Sequence, residues 1–135
     1  MRITFAGPED FDYLVEMDPH VRSDVLKRKI DRQEVIVLWR DDQRAGWLRY
    51  GYFWDALPFM NMLYVRDELR GQELGTRLVM FWETEMRESG YDRVMTSTLS
   101  DENAQHFYRK LGYEDRGCLL LPGEPLEILF VKPLT

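Results

Sequence analysis

Apolar side chains recur along this chain with two different periods, and the points where one gives way to the other mark out its elements. Residues 2–6 alternate weakly and stop at Gly7-Pro8, as a short strand does. From Glu9 to about Ile30 the positions Phe11, Leu14, Val15, Val21, Val25, Leu26 and Ile30 follow helical spacing, and Asp-Pro-His at 18–20 breaks them into two short helices. Residues 34–40 and 45–54 are β-branched and aromatic runs on either side of a polar turn at 41–43, which predicts a hairpin. A third strand is predicted at 59–65, after Leu57-Pro58.

The clearest helix is predicted from Leu74 to Ser89. Leu74, Leu78, Phe81, Trp82 and Met86 share one face, Glu83 and Arg87 pair at i,i+4 on the other, and Gly90 closes it. Residues 92–99 then read as a strand. Residues 101–111 read as a compact helix with Asp101 and Glu102 at its positive end and Arg109 and Lys110 near its negative end, stopped by Gly112. Residues 118–121 and 126–132 read as two strands joined by a Pro/Gly loop. The order β-α-α-β-β-β-α-β-α-β-β predicts an α/β fold with a mixed central sheet of about seven strands and four helices.

With 135 residues and neither repeat nor linker, residues 1–135 are expected to form a single domain, burying about 68% of the unfolded surface. Hydrophobic residues at 44% exceed what a disordered segment carries, and no apolar run approaches the roughly 18 residues of a membrane span. The opening residues lack the long apolar centre of a secretory signal. One cysteine, Cys118, cannot close an intramolecular disulfide, and with only His20 and His106 there is no set of four soft ligands for structural zinc. A cytoplasmic protein without metal is expected. A formal charge of −6 disfavours a nucleic-acid partner and would attract a cationic acceptor, although solubility is also an adequate reason for it.

Candidate chemistry concentrates where the strand ending at Val65 runs through a polar loop into the helix at Leu74. Free N–H groups at such a junction favour a phosphate or pyrophosphate, and Gly71 and Gly75 permit close approach, with Arg70 able to add a charge. A tight turn with an ordinary helix start would carry the same glycines. Neither a P-loop ending in Gly-Lys-Ser/Thr nor the G-x-G-x-x-G of dinucleotide folds is present.

Residues 65–78, "VRDELRGQELGTRL", resemble the acyl-coenzyme A loop of the GNAT superfamily of N-acetyltransferases, whose pattern is Arg/Gln-x-x-Gly-x-Gly/Ala between the fourth strand and third helix. Downstream, "AQHFYRKLGY" at 104–113 is similar to that family's A-x-x-F/L-Y-x-K-x-G-F helix. The element order agrees, so the resemblance covers nearly the whole chain. It implies a splayed sheet, acetyl-coenzyme A as acyl donor, and direct attack of an amine on the thioester without an acyl-enzyme. It also implies donor contacts from Leu63 and Val65 on the edge of the fourth strand, and from Arg70, Gly71, Gln72, Glu73, Leu74, Gly75 and Thr76 at the loop and helix start. Cys118 would then be structural.

Tyr108 falls on the family's tyrosine, commonly the general acid for the departing thiolate; plain core packing is the alternative. The offset of about 100° between neighbouring helical positions would let Phe107 pack inward while Tyr108 faces the splayed strands. Three departures stand out. Glu73 replaces the loop's first glycine. The family's cofactor-contacting asparagine falls on Asp101, which accepts but cannot donate when ionised, leaving Asn103 as the nearby substitute. No glutamate lies in 59–65, where this family sometimes keeps a base.

Candidate bases are Glu127, Asp55 and Glu16. Glu127 stands out as a lone carboxylate in an apolar strand, sharing a face with Leu129 and Val131; it either serves the acceptor site or reaches water from an edge. His20 and His106 read as surface residues. The aromatic hairpin holding Trp39, Trp47, Trp54, Tyr50 and Tyr52 suits a core or a homodimer face before an acceptor cage. The acceptor class, whether small-molecule amine or peptide or protein N-terminus, stays open. The rival readings are a non-catalytic acyl-coenzyme A sensor and an interaction domain of the same fold.

Overall fold

The computed structural model describes residues 1–135 as four helices and a seven-stranded mixed sheet. The strands are β1 (Arg2–Phe5), β2 (Val35–Arg40), β3 (Gln43–Phe53), β4 (Leu57–Val65), β5 (Arg93–Leu99), β6 (Glu114–Leu119) and β7 (Glu127–Pro133), in spatial order β1-β2-β3-β4-β5-β7-β6. The helices are α1 (Phe11–Met17), α2 (Ser23–Asp31), α3 (Leu74–Glu88) and α4 (Ala104–Lys110), with single 3-10 turns at Pro8–Asp10 and Asp67–Leu69. The order of elements agrees with the sequence reading. No helix is long and apolar enough to cross a membrane. The chain divides into two compact units, Met1–Tyr50 with Met62–Phe81, and Gly51–Asn61 with Trp82–Thr135.

In the first unit, β1 pairs antiparallel with β2, and β2 with β3. The β2–β3 turn is tight because Asp41 and Asp42 both adopt left-handed backbone, φ 51° and 62°, which matches the strands' twist and suits short polar side chains. Leu14, Leu26 and Ile30 from α1 and α2 meet Val35, Val37 and Trp47 from the hairpin in one buried cluster. Two ion pairs tie the N-terminal segments to β3. Arg49 grips buried Asp18 at 2.9 Å after α1, and Arg44 grips buried Asp10 at 2.8 Å before it. Gly46 lets the chain pass closely: a Cβ there would lie 2.5 Å from the Tyr64 carbonyl oxygen and 3.3 Å from a Leu78 methyl.

In the second unit, β5 pairs parallel with β4 through Phe59↔Met95 and Met60↔Thr96, and antiparallel with β7 from Arg93↔Pro133 to Leu99↔Glu127. Residues directly opposite across a ladder share a face. Val94, Thr96 and Thr98 therefore lie with Ile128, Phe130 and Lys132, the face on which Tyr108 meets the Phe130 ring, 6.2 Å between centroids.

Four expectations are corrected here. Glu83 is not on a solvent face paired with Arg87: it is buried, accepts hydrogen bonds from Tyr113 and Lys132, and Arg87 instead donates to the Leu134 carbonyl. Long-range partners outcompete an i,i+4 pair whose surface worth is only about 0.3–0.5 kcal/mol. The helix expected from 101 begins at Ala104; Asp101, Glu102 and Asn103 form the turn before it, where a Glu102 carboxylate oxygen accepts from the Leu99 amide at 2.9 Å. The strand expected at 118–121 is Glu114–Leu119, an exposed edge strand whose polar residues hide its period, so Leu120 and Leu121 fall in the following loop. Phe107, expected to pack inward, is only half-buried, and Tyr108 is the more buried of the two rings.

Candidate functional site

The donor-loop residues all lie in the first unit. Leu63 and Val65 are half-buried on β4, and the chain then makes the 3-10 turn before Gly71, φ 81°, and Glu73, φ 62°. These two left-handed residues, two positions apart, curl the loop into the first turn of α3. Gly71 adopts that backbone freely; Glu73 adopts it against the roughly 1–2 kcal/mol that a Cβ costs there. The position that departs from the family's glycine is thus one where the backbone itself favours glycine. Arg77 N–H donates to the Glu73 carbonyl at 3.1 Å, so Glu73 accepts the first bond of α3, and the N–H groups of Leu74, Gly75 and Thr76 have no partner within the helix. The Glu73 side chain is exposed, while Leu74 anchors the turn in the core.

Arg70 and Arg40 beside this loop are engaged. Arg70 donates to the Val65 carbonyl at 3.1 Å, pairs with Asp67 at 3.0 Å and lies over the Tyr64 ring. Arg40, at the end of β2, donates to the Gln72 side-chain oxygen. A cavity of about 400 Å³ is lined by Met1, Arg40, Asp41, Gln72, Leu74 and Arg77, and another of about 430 Å³ by Met1, Ile3, Glu73, Thr76, Arg77 and Met80. Arg40 and Arg77 went unread in the sequence. Arg77 lies inside the matched segment but beyond the donor contacts read at Arg70 to Thr76, and Arg40 reaches Gln72 from the end of β2, 32 residues away.

Of the remaining candidates, Tyr108, Glu127, Asp55, Asp101 and Asn103 lie in the second unit and Glu16 in the first. Tyr108 projects from α4 into its core with 6% of its surface exposed, its ring 5.6 Å edge-on to Tyr113. Burial pushes its hydroxyl up to about 12, opposed by a hydrogen bond with Thr96. The Thr96 hydroxyl in turn donates to the Met60 carbonyl at 3.0 Å, which fixes it on β5. Glu127 is half-buried at the start of β7, opposite Leu99 and on the face of Leu129 and Val131. Tyr108 meets the other face, where Phe130 lies, so the structure puts the two candidate catalytic groups on opposite sides of the β5–β7 ladder. Asn103 and Asp101 are exposed ahead of α4, and Asn103 makes no side-chain cap bond. His20, His106 and Cys118 are exposed, so Cys118 is not a core residue. Asp55 is exposed at the β3–β4 turn and Glu16 is exposed on α1. No group of three or more His, Cys, Asp or Glu side chains is arranged to hold a metal ion.

Solved structures share this architecture. A GNAT-family acetyltransferase from Bacillus cereus superimposes with a TM-score of 0.79 at 24% identity, covering 98% of this chain and 96% of that one. An aminoglycoside 6'-N-acetyltransferase complexed with coenzyme A gives 0.80 at 19% identity, over 100% and 98%. A ribosomal-protein-alanine N-acetyltransferase from Brucella melitensis gives 0.83 at 18%, over 98% and 99%. No curated protein sequence matches the chain. The family model for the acetyltransferase (GNAT) family matches residues 6–113, a span holding both the loop from Arg70 to Thr76 and the helix that carries Tyr108. On that match, with the sheet order and element sequence in agreement, the chain belongs to the GNAT acetyltransferase family.

Proposed function

We propose that residues 1–135 form one acyltransferase domain that moves the acetyl group of acetyl-coenzyme A directly to an amine of a small molecule, peptide or protein. The observation that carries this reading is the loop into α3, where left-handed backbone at Gly71 and Glu73 curls the chain in front of three N–H groups that have no partner within the helix. N–H groups so arranged are suited to a pyrophosphate. Leu63, Val65, Arg70 to Thr76 and Asn103 are the donor-binding candidates, and Arg40 and Arg77 add cationic side chains beside the loop.

In the reaction the amine nitrogen bonds to the thioester carbon, the carbon–sulfur bond breaks, one amine proton leaves, and the thiolate gains a proton. Tyr108 is the candidate donor to the departing thiolate, a hydroxyl that remains protonated throughout the physiological range. With its acidity near 12 against about 8.5 for a thiol, it supports hydrogen-bond donation to the developing thiolate more than outright surrender of its proton. Glu127, on the opposite face of the ladder, is the candidate to receive the amine's proton or hold its ammonium form.

The test is thiol release from acetyl-coenzyme A across a panel holding a polyamine, an aminoglycoside, free amino acids and a peptide with an N-terminal alanine. Turnover with one class assigns the acceptor. A second reading, an acyl-coenzyme A sensor without turnover, is favoured by the carboxylate that Glu73 places on the loop. Coenzyme A that raises the melting temperature while every amine fails would select it.

A further inference from the structure

The second unit contains a buried polar cluster that the proposed chemistry does not use. Glu83 on α3 is 5% exposed, yet both its carboxylate oxygens are occupied: Tyr113 Oη donates to one at 2.8 Å and Lys132 Nζ to the other at 2.9 Å. The ammonium group of Lys132 also lies 5.6 Å over the Tyr113 ring. Such a cluster is weak support for stability, because desolvating two charges consumes most of what their attraction supplies. It does fix the geometry of what it touches, and Tyr113 touches Tyr108.

That contact follows from the local sequence. Gly112, φ 96°, ends α4 in left-handed backbone, so the Tyr113 amide folds back to the Tyr108 carbonyl at 3.0 Å and the Gly112 amide to that of Arg109 at 3.1 Å. This is the Schellman closure, whose usual companion is a side-chain contact between the same two residues, three positions from the helix end and two beyond it. Here the contact is the edge-on pairing of the Tyr113 and Tyr108 rings at 5.6 Å. Tyr113 is therefore clamped at both ends, by its amide to α4 and by its hydroxyl to an ion-paired carboxylate on α3.

We propose that Tyr113, Glu83 and Lys132 are positioning residues for Tyr108: the ion-paired carboxylate holds the Tyr113 hydroxyl, and the held ring braces the Tyr108 ring so that its own hydroxyl keeps one direction. This inference rests on the reading of Tyr108 as the donor to the departing thiolate. Phenylalanine at 113 would keep the ring and lose the anchor, leaving a buried carboxylate with one partner fewer.

A double-mutant cycle on thiol release, with acetyl-coenzyme A and the fastest acceptor of the amine panel, tests it. Tyr113→Phe should lower kcat about tenfold and leave KM for acetyl-coenzyme A within twofold, because a misaimed group costs rate before it costs ground-state binding. In a Tyr108→Phe background the same change should have no further effect. Glu83→Gln, which keeps an oxygen acceptor for Tyr113, should retain kcat within about threefold, whereas Glu83→Leu should match Tyr113→Phe. Two effects that multiply in the cycle, or a Tyr113→Phe variant with full kcat, would overturn the network while leaving Tyr108 its role. Full kcat in Tyr108→Phe, or no turnover by the unaltered protein, would instead overturn the reading beneath it. If Tyr113→Phe fails to fold, the Glu83→Gln and Glu83→Leu pair decides: equal kcat values for the two would sink the proposal.

Discussion

Tyr108 combines a buried ring with a hydroxyl hydrogen-bonded to Thr96, and its raised pKa makes it a determinant of alkaline stability as well as a candidate donor. The unfolded chain releases this proton near pH 10 and the folded chain near 12, so the contribution is whole below pH 10 and lost as pH rises toward 12. Its size is on the order of 2–3 kcal/mol. Denaturant titrations at pH 9, 10, 11 and 12 should show Tyr108→Phe losing less stability over that window than the unaltered protein; parallel slopes would contradict the burial argument. In assays limited by chemistry, Tyr108→Phe should lower kcat about a hundredfold. No fall in activity between pH 7 and 10 should trace to this group. At Glu73 the expectation has the opposite sign. Glu73→Gly should raise stability by roughly 0.5–1 kcal/mol, since relief of left-handed strain exceeds the extra chain entropy of glycine. Coenzyme A affinity should change less than about tenfold because the carboxylate is exposed. A much larger gain by calorimetry would mean that the native side chain repels the phosphates.

Among elements, β3 carries the tightest constraint. Its Gly46 lies under the Tyr64 carbonyl and a Leu78 methyl, and β3 is fastened to the N-terminal segments through Arg44 and Arg49. Gly46→Ala should destabilise by about 3 kcal/mol in urea titration, because backbone rather than a flexible side chain must move. An unchanged midpoint would show that β4 can yield there. Elements with strong periodicity were legible at once: α3 ends within one residue of its sequence boundary, and β2 and β5 start within one of theirs. The short polar ones were not. The β6 strand is exposed along its whole length, so no alternation marks it, and α4 gives up its first three expected residues to a turn in which Glu102 bonds the end of β5.

For the whole molecule, the family assignment makes ligand linkage the most direct measurement. Coenzyme A at a hundred times its dissociation constant should stabilise the fold by about 2.7 kcal/mol, or roughly 8–10 °C in melting temperature for a chain of this length. A melting curve indifferent to coenzyme A at millimolar concentration would remove donor and sensor readings together.

Hydrophobic periodicity, glycine placement and two spaced motifs by themselves determined the order of the eleven elements, the α/β class and the position of the loop that enters α3, because these depend on neighbours in sequence. The Schellman closure that joins Tyr113 to Tyr108 was written locally as well, in Gly112. Only tertiary structure decided which polar side chains are buried. Glu83 carries the sequence signature of a solvated helix face, and it is interior because Tyr113 and Lys132, 30 and 49 residues away, supply its hydrogen bonds. Likewise Arg40 reaches Gln72 across 32 residues, and the sides of the ladder taken by Tyr108 and Glu127 follow from strand register and helix packing. Burial of a polar group depends on the partners that three dimensions bring to it, which a period along the chain does not encode.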